Sequence, residues 1–422
     1  MKLNIKKLLI DSILGTLFLL FLLFVILKVS ALAIFDVFNP IGEAIGDMEI
    51  TDVVFSQFRE DPTAEERIVL VNIGELGRAG IAEQINILNQ YDPAVIGIDS
   101  YFYNERDSLG DVLLSQAIQN ADSVVLVSKL LYNDSTQTYD SLAISQPNLF
   151  NQYAYTGYAN LTTEARFQDD FKVNRAFLPK MEVDGHGVEY AFGVKLAQLF
   201  DPESAENFLN RKKFEEIINY RGNAIDFYGS NNYANMFPVL DVSDVFSENF
   251  VPEMIKGKIL IFGYMGKDLT DTSWDDKYYT PMNKIYAGKS NPDMFGAVIH
   301  ANIVAMILNR DYVNSFTELQ AGTIGIILIF LNVMLFSIIY RRLPKWYDGL
   351  TKLIQLFEIL IILYITIQAF DKFSFKLNLT LGIAGIALAG DGLEVFYGVI
   401  MNLFSKEGRK QLFHVYKYEE TR

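Results

Sequence analysis

Twenty consecutive residues without a charge, Ala321 to Tyr340, constrain this chain more than any other feature. A hydrocarbon core of ~30 Å takes about 20 apolar helical residues to cross, so this run reads as a membrane span. Two more follow it: Leu353 to Phe370, with Glu358 as its one charge, and Leu377 to Phe404, apolar but carrying Asp391 and Glu394. A further run stands at the front, where Ser12 to Leu27 is uncharged and apolar sequence continues past Lys28 to Phe35. Lys2, Lys6 and Lys7 before it and Ala31-Leu32-Ala33 at its end also suit a cleaved signal peptide. The run is long for that role, and an uncleaved anchor is the expectation.

The charges sort by position. Residues 36–318 hold 42 acidic and 21 basic side chains, and the rest of the chain holds 9 and 15. This pattern describes an acidic soluble domain joined to a basic membrane portion, and it argues against nucleic acid as a partner, which calls for clustered Lys and Arg. The basic residues fall in three groups: Lys2, Lys6 and Lys7; Arg341, Arg342, Lys345 and Lys352; and Lys406, Arg409, Lys410, Lys417 and Arg422. Four spans place all three groups on one side, which the positive-inside rule makes cytoplasmic. The expected organisation is a cytoplasmic N-terminus and first span in 1–35 and an extracytoplasmic domain in 36–318. Three spans then occupy 319–404, and a short cytoplasmic tail runs through 405–422. In a bacterium this describes a multi-pass inner-membrane protein with a periplasmic domain. Cysteine is absent, which removes disulfides, thiolate catalysis and Cys-based metal sites.

Within 36–318 the pattern is α/β. Ile68-Val-Leu-Val-Asn-Ile73 suits a buried strand, and Ile81, Ala82, Ile85 and Leu88 recur at helical spacing. Asp92-Pro93 ends that helix before a second strand, Ala94 to Asp99; a helix near 109–119 and a strand at 123–128 follow. Short apolar strands alternating with helices predict a mostly parallel sheet. Residues 129–188 are polar and tyrosine-rich, and read as an insertion or an edge of extended hairpins. Helices are expected at 189–200 and 202–218, a strand at Lys258 to Gly263, and a long apolar helix from Asp293 to Asn309 that feeds the second span.

The order of these elements resembles the type-two CHASE family, the extracellular sensory domains found with cyclases and histidine kinases. The matching stretches are Ile68–Ile73, Pro93–Asp99, Asp111 ahead of Leu114 and Ala117, Ile218-Asn-Tyr-Arg-Gly222 and Met236-Phe-Pro238. The closing block is the strongest: Ile255–Gly263, Asp268-Leu-Thr-Asp271, Thr280-Pro281 and Gly296-Ala-Val-Ile-His-Ala-Asn302. One leading and three trailing spans are also typical of that family. The resemblance implies a sensory role, with an effector domain usually fused after the last span. Here 405–422 is too short to fold alone, so the expectation is a sensor without a fused effector.

Candidate ligand contacts are Asp99, Gly263, Gly266, Asp271 and His300. Asp99 ends a strand, where open α/β sheets bind ligands. Gly263-Tyr-Met-Gly266 follows a strand and offers backbone N–H groups to an anion, although two-glycine turns are common. Asp271 and His300 belong to the closing block; a strand-end carboxylate also serves as a cap or loop-ordering acceptor, and a lone His on a buried helix is often a core residue. Asp268, Asp271, Asp275 and Asp276 lack the spacing of a calcium loop and read as solvated charges. No catalytic or metal-ligand motif occurs, so neither enzymatic activity nor a metal or cofactor is expected. In the membrane, Asp391 and Glu394 share one face and are candidate assembly contacts, with Lys28 or a polar group of another subunit as counter-charge. The expected function is a membrane sensor or ligand-binding protein acting through partner proteins. The alternative is an accessory subunit of a membrane or envelope complex that uses the ectodomain for docking.

Overall fold

A computed structural model describes residues 5–30, 49–60, 62–133, 135, 138–161, 173–224, 236–271, 273–283 and 291–404. Ala31-Leu32-Ala33 and the tail 405–422 lie outside the described residues. The chain divides into two compact units, Met1–Gly46 with Asn314–Arg422, and Asp47–Val313.

The second unit is built on a mixed sheet. In chain order its elements are β1 (Ile68–Asn72), α2 (Arg78–Asn89), β2 (Val95–Asp99), α3 (Ser108–Asn120), β3 (Val124–Asn133), β4 (Thr138–Ala143) and β5 (Tyr155–Tyr158). After these come α4 (Phe192–Phe200), α5 (Pro202–Leu209), β6 (Val239–Leu240), β7 (Ile259–Gly263) and α6 (Gly296–Leu308). The strand order is β6-β1-β7-β2-β3-β4, with β5 also paired to β3. The pairings are parallel except β3–β4, an antiparallel hairpin. This hairpin is why the sheet is mixed where the βαβ pattern alone pointed to parallel strands.

β1, β2 and β7 are five-residue apolar runs because both faces of the sheet are covered. On one face Ile81, Ile85 and Leu88 of α2 and Leu114 and Ile118 of α3 pack on Val69, Val71, Ile96, Ile98 and Leu126. The other face receives α4 and α6. A Cβ on Gly97 would stand 2.8 Å from both Leu196 and Phe192, and one on Gly263 would stand 2.6 Å from Ala297 Cβ. The two glycines therefore let helices approach the strands closely. Every residue of α6 is buried.

Several sequence boundaries move. The predicted helix 293–309 begins at Gly296, because Met294–Phe295 form a short antiparallel pair with Lys277–Tyr278. The predicted helix 202–218 ends at Leu209, and Glu216–Ile217 pair as a strand with Ala176–Phe177.

In the first unit α1 (Ile5–Ser30), α7 (Glu318–Arg342), α8 (Tyr347–Phe373) and α9 (Thr380–Val395, continuing to Phe404) are long and apolar enough to cross a membrane. The helix α9 packs through its small residues. A Cβ on Gly385 would lie 2.2 Å from Ile329 of α7, and one on Gly392 would lie 2.2 Å from Leu19 of α1. Such backbone proximity supplies the van der Waals contact that joins helices in lipid.

The placement of Asp391 corrects the expectation of a charge in mid-membrane. Asp391 pairs with Lys352 of α8, and Tyr347 donates from Oη to Gly390 O at 2.8 Å. Residue 391 is therefore level with the start of α8. Asp11 pairs with Arg341, and Tyr340 and Tyr397 stack at 4.8 Å. Ion pairs and tyrosines gathered in one layer mark a membrane–water interface. Lys28 is not the counter-charge: it is exposed in the last turn of α1, its ammonium 5.9 Å from the Phe24 ring centre. Glu394 is exposed as well. Depth was misjudged because α8 begins at Tyr347 rather than Leu353, which shifts its register against α9.

Candidate ligand site at the carboxyl edge of the sheet

Three adjacent strands end in one row. Asn72 of β1 registers with Gly263 of β7, and Gly263 with Asp99 of β2. These neighbours have opposite fates.

Asn72 is saturated. Its Nδ2 donates to Asp241 Oδ1 at 2.9 Å and Gly266 O at 3.1 Å, and its Oδ1 accepts from Gly74 N at 3.0 Å and Met265 N at 2.9 Å. The Gly263–Gly266 turn is thus built around an asparagine, and the Met265 amide is already occupied rather than open to an anion. Gly266 has φ +91°, and Asp271 closes the turn beside it. The Asp271 oxygens accept from Lys267 N at 2.9 Å and Ser273 N at 2.8 Å, and these amides hold its pKa below the ordinary value. Asp268 likewise accepts from Thr270. Both are loop-ordering carboxylates.

Asp99 has no hydrogen-bond partner among the described residues. Its Oδ2 lies 4.0 Å from His300 Nε2, beyond hydrogen-bond reach. His300, only 3 % exposed, makes no hydrogen bond through either nitrogen among the described residues, and its ring packs edge-on with Phe192 at 5.2 Å. Burial pushes Asp99 up to about 8, helped by the charge of Asp276, and pushes His300 down to about 4. Both shifts favour the neutral forms at pH 7.

Asp276 is the residue that the sequence reading passed over. It sits on a solvent-exposed turn with φ +56°, and its backbone O accepts from Gly296 N at 3.2 Å, at the start of α6. A Cβ on Gly296 would be 3.5 Å from Asp99 Oδ2 and 3.6 Å from Asp276 Oδ2, so the two carboxyls converge on one point. Crowding by protein pushes Asp276 up to about 6. Tyr278 Cε2 is 3.5 Å from the same point. Tyr101 stacks on Tyr103 at 5.0 Å. Burial and the nearby Asp99 and Asp276 raise the phenol pKa values of Tyr101 and Tyr278, which remain O–H donors. Asp293 accepts from Thr280 N at 2.8 Å and Asn283 Nδ2 at 3.4 Å, which ties residues 280–283 to the start of α6. Tyr101 and Tyr103 follow Asp99 directly, and Asp276 and Tyr278 precede Thr280-Pro281, so position in the matching blocks was the one available signal for them.

Of the expected contacts, the structure brings Asp99 and His300 together, sets Gly263 between them and Asn72, and gives Gly266 and Asp271 to the neighbouring turn. Among the described residues no group of three or more His, Asp or Glu stands close enough to hold one metal ion.

The CHASE2 domain model matches residues 19–338, most of the chain. The protein belongs to the CHASE2 family. Neither curated proteins nor solved structures provide a match. In this CHASE2 protein the match runs from the first span, through the whole sheet and its carboxyl edge, into the second span.

Proposed function

We propose that this CHASE2 protein is a multi-pass membrane sensor that binds a small ligand at the Asp99–Asp276–His300 edge and signals through partner proteins. One observation carries the reading: a carboxyl only 13 % exposed and a buried imidazole face each other 4.0 Å apart, with no hydrogen bond between them. Proteins pair their buried polar groups, so an unpaired set at the edge where α/β sheets bind ligands supports a ligand-binding role. Binding here rather than catalysis also fits the lack of a nucleophile beside His300 among the described residues.

The route inward starts at α6, whose first turn borders the site and whose chain continues through residues 309–317 into α7. Arg221 holds Asp311, and Arg211 donates to Val313 O at 3.2 Å. Beyond Val313, Asn314 N donates to Ser374 O at 2.9 Å. The orientation that goes with this reading has both termini in the cytoplasm and the sheet outside, in bacteria at the inner membrane, on the strength of the basic layer around Arg341 and Lys352. Leu353, Phe357, Leu360, Ile361 and Tyr364 of α8 are exposed and offer a partner an apolar face.

Hydrogen exchange on the full chain in lipid discs tests the reading. A library of small metabolites is expected to contain members that protect residues 96–103 and 293–300 and alter exchange at 309–320. Ligands that protect other segments, or leave 309–320 unchanged, would overturn it.

A further inference from the structure

Resting on the reading just given, we infer that the ligand is a small organic cation, a primary ammonium on a short apolar body, held by Asp99, Asp276 and His300. The edge offers acceptors. Two carboxyls approach one point beside Gly296, and His300 Nε2 faces Asp99 from 4.0 Å. Among the described residues no Lys or Arg pairs with either carboxyl. Lys277, the nearest in sequence, lies over Phe295 at 4.9 Å and donates to Asp271 O at 3.4 Å.

An anion would face two carboxyls at this point. The Gly296 amide at the helix start is taken by Asp276 O, and the one buried imidazole is held neutral by burial. A bare metal ion is also poorly served, because the oxygens and nitrogen do not gather into a three-ligand set. An ammonium group carries three N–H donors at tetrahedral angles and matches three acceptors set apart on β2, the 276 turn and α6. Tyr278 beside the same point and Tyr101 close to both carboxyls add aromatic surface, which attracts cations through the ring face.

Gly296 marks the position. Nothing lies within 3.5 Å of the place where its Cβ would stand, so a side chain can be added there without disturbing its neighbours. A larger one fills the gap between the carboxyls.

The test is calorimetry on the full chain in lipid discs, with n-butylammonium chloride as probe, n-butanol as its uncharged counterpart and manganese chloride as the bare cation. Saturable binding of n-butylammonium is expected, with none of n-butanol and none of manganese at this site. Asp99→Asn and Asp276→Asn, both of near-identical shape, are expected to weaken it at least tenfold, and Gly296→Val to abolish it. Binding at pH 7 is expected to release close to one proton, read by repeating the titration in buffers of different ionisation heat, because the cation favours the Asp99 carboxylate. A merely structural role for these residues would not move that number. Absence of saturable n-butylammonium binding, equal binding in the wild type and both Asn variants, or competition by manganese would overturn the inference. If n-butylammonium fails while metabolites still protect residues 96–103, the cation is wrong and the sensory reading stands. If n-butylammonium binds but exchange at 309–320 never changes, the site is right and the signalling route is wrong.

Discussion

Asn72 and Asp99 end strands that flank the same neighbour, β7, yet one is fully bonded and the other is bare. The Asn72 side chain satisfies four groups and its own polarity, so it is architecture: it fixes the turn that follows β7. Among the described residues Asp99 satisfies nothing and is satisfied by nothing. Burial alone does not separate structural from functional polar residues; the state of their hydrogen bonds does. The difference has an energetic sign. A bonded buried polar group contributes stability, whereas an unpaired one detracts from it and persists only where something else benefits.

The largest test of the contrast is Asn72→Ala. Loss of its side chain leaves the Gly74 and Met265 amides unpaired, and an unfolding free energy lower by about 3 kcal/mol is expected, measured by urea denaturation of the solubilised chain. A loss below ~1 kcal/mol would break the contrast from the structural side.

Asp99→Asn should show the opposite behaviour, through pH. Asp99, Asp276 and Asp293 have folded pKa values of about 8, about 6 and about 7, all above the ordinary aspartate value of 3.8. Between pH 4 and each folded value the unfolded chain has lost a proton that the folded chain keeps. Stability therefore falls as pH rises through that window, by up to about 1.4 kcal/mol per pH unit for Asp99 and Asp293, and by less for Asp276, whose exposed turn is screened by solvent. His300 works the other way, since its folded value of about 4 lies below 6.5 and stability is lost as pH falls between these. Asp99→Asn removes one of the three acids, so the fall in thermal midpoint from pH 5 to 8 is expected to be shallower than in the wild type. An unchanged pH slope would show Asp99 to be hydrated and ordinary.

The Lys352–Asp391 pair sharpens the comparison from the other unit. Both side chains are about half exposed, so Lys352→Gln is expected to change stability by no more than about 1 kcal/mol. A larger loss would return Asp391 to the membrane interior. The smallest effect belongs to Gly296→Ala. Its added carbon meets only ordinary contacts, and a midpoint within about 0.5 kcal/mol of wild type is expected. A clearly destabilised variant would show that the space beside the carboxyls is already filled.

What could be read from the sequence follows what is local. The strands β1, β2 and β7 and the four spans announce themselves by uninterrupted apolar runs, and Asp99 was found because a strand end can be seen in ten residues. Asp276 was read as a solvated loop charge, since its meeting with Asp99 depends on how a hairpin far along the chain folds back over α6. The saturation of Asn72 was hidden for the same reason: its partners come from three separate loops. In the membrane, composition fixed the number of helices but not their relative depth. Asp391 looked central until the Tyr347–Gly390 bond set α8 and α9 in register.

The helix α8, 27 residues long, rises about 40 Å against a hydrocarbon core of ~30 Å. One end is fixed by Tyr347 and Lys352, and the other turns at Ser374 into the strand that binds Asn314 and Ser315. A helix longer than its bilayer tilts or stretches the lipid around it. Lipid thickness therefore acts as a mechanical load on residues 314–316, the same point at which the ectodomain joins its second span. Under the sensory reading proposed above, acyl-chain length joins the ligand in setting the resting state, and chains reconstituted in thin and thick discs should differ in their response to the same dose.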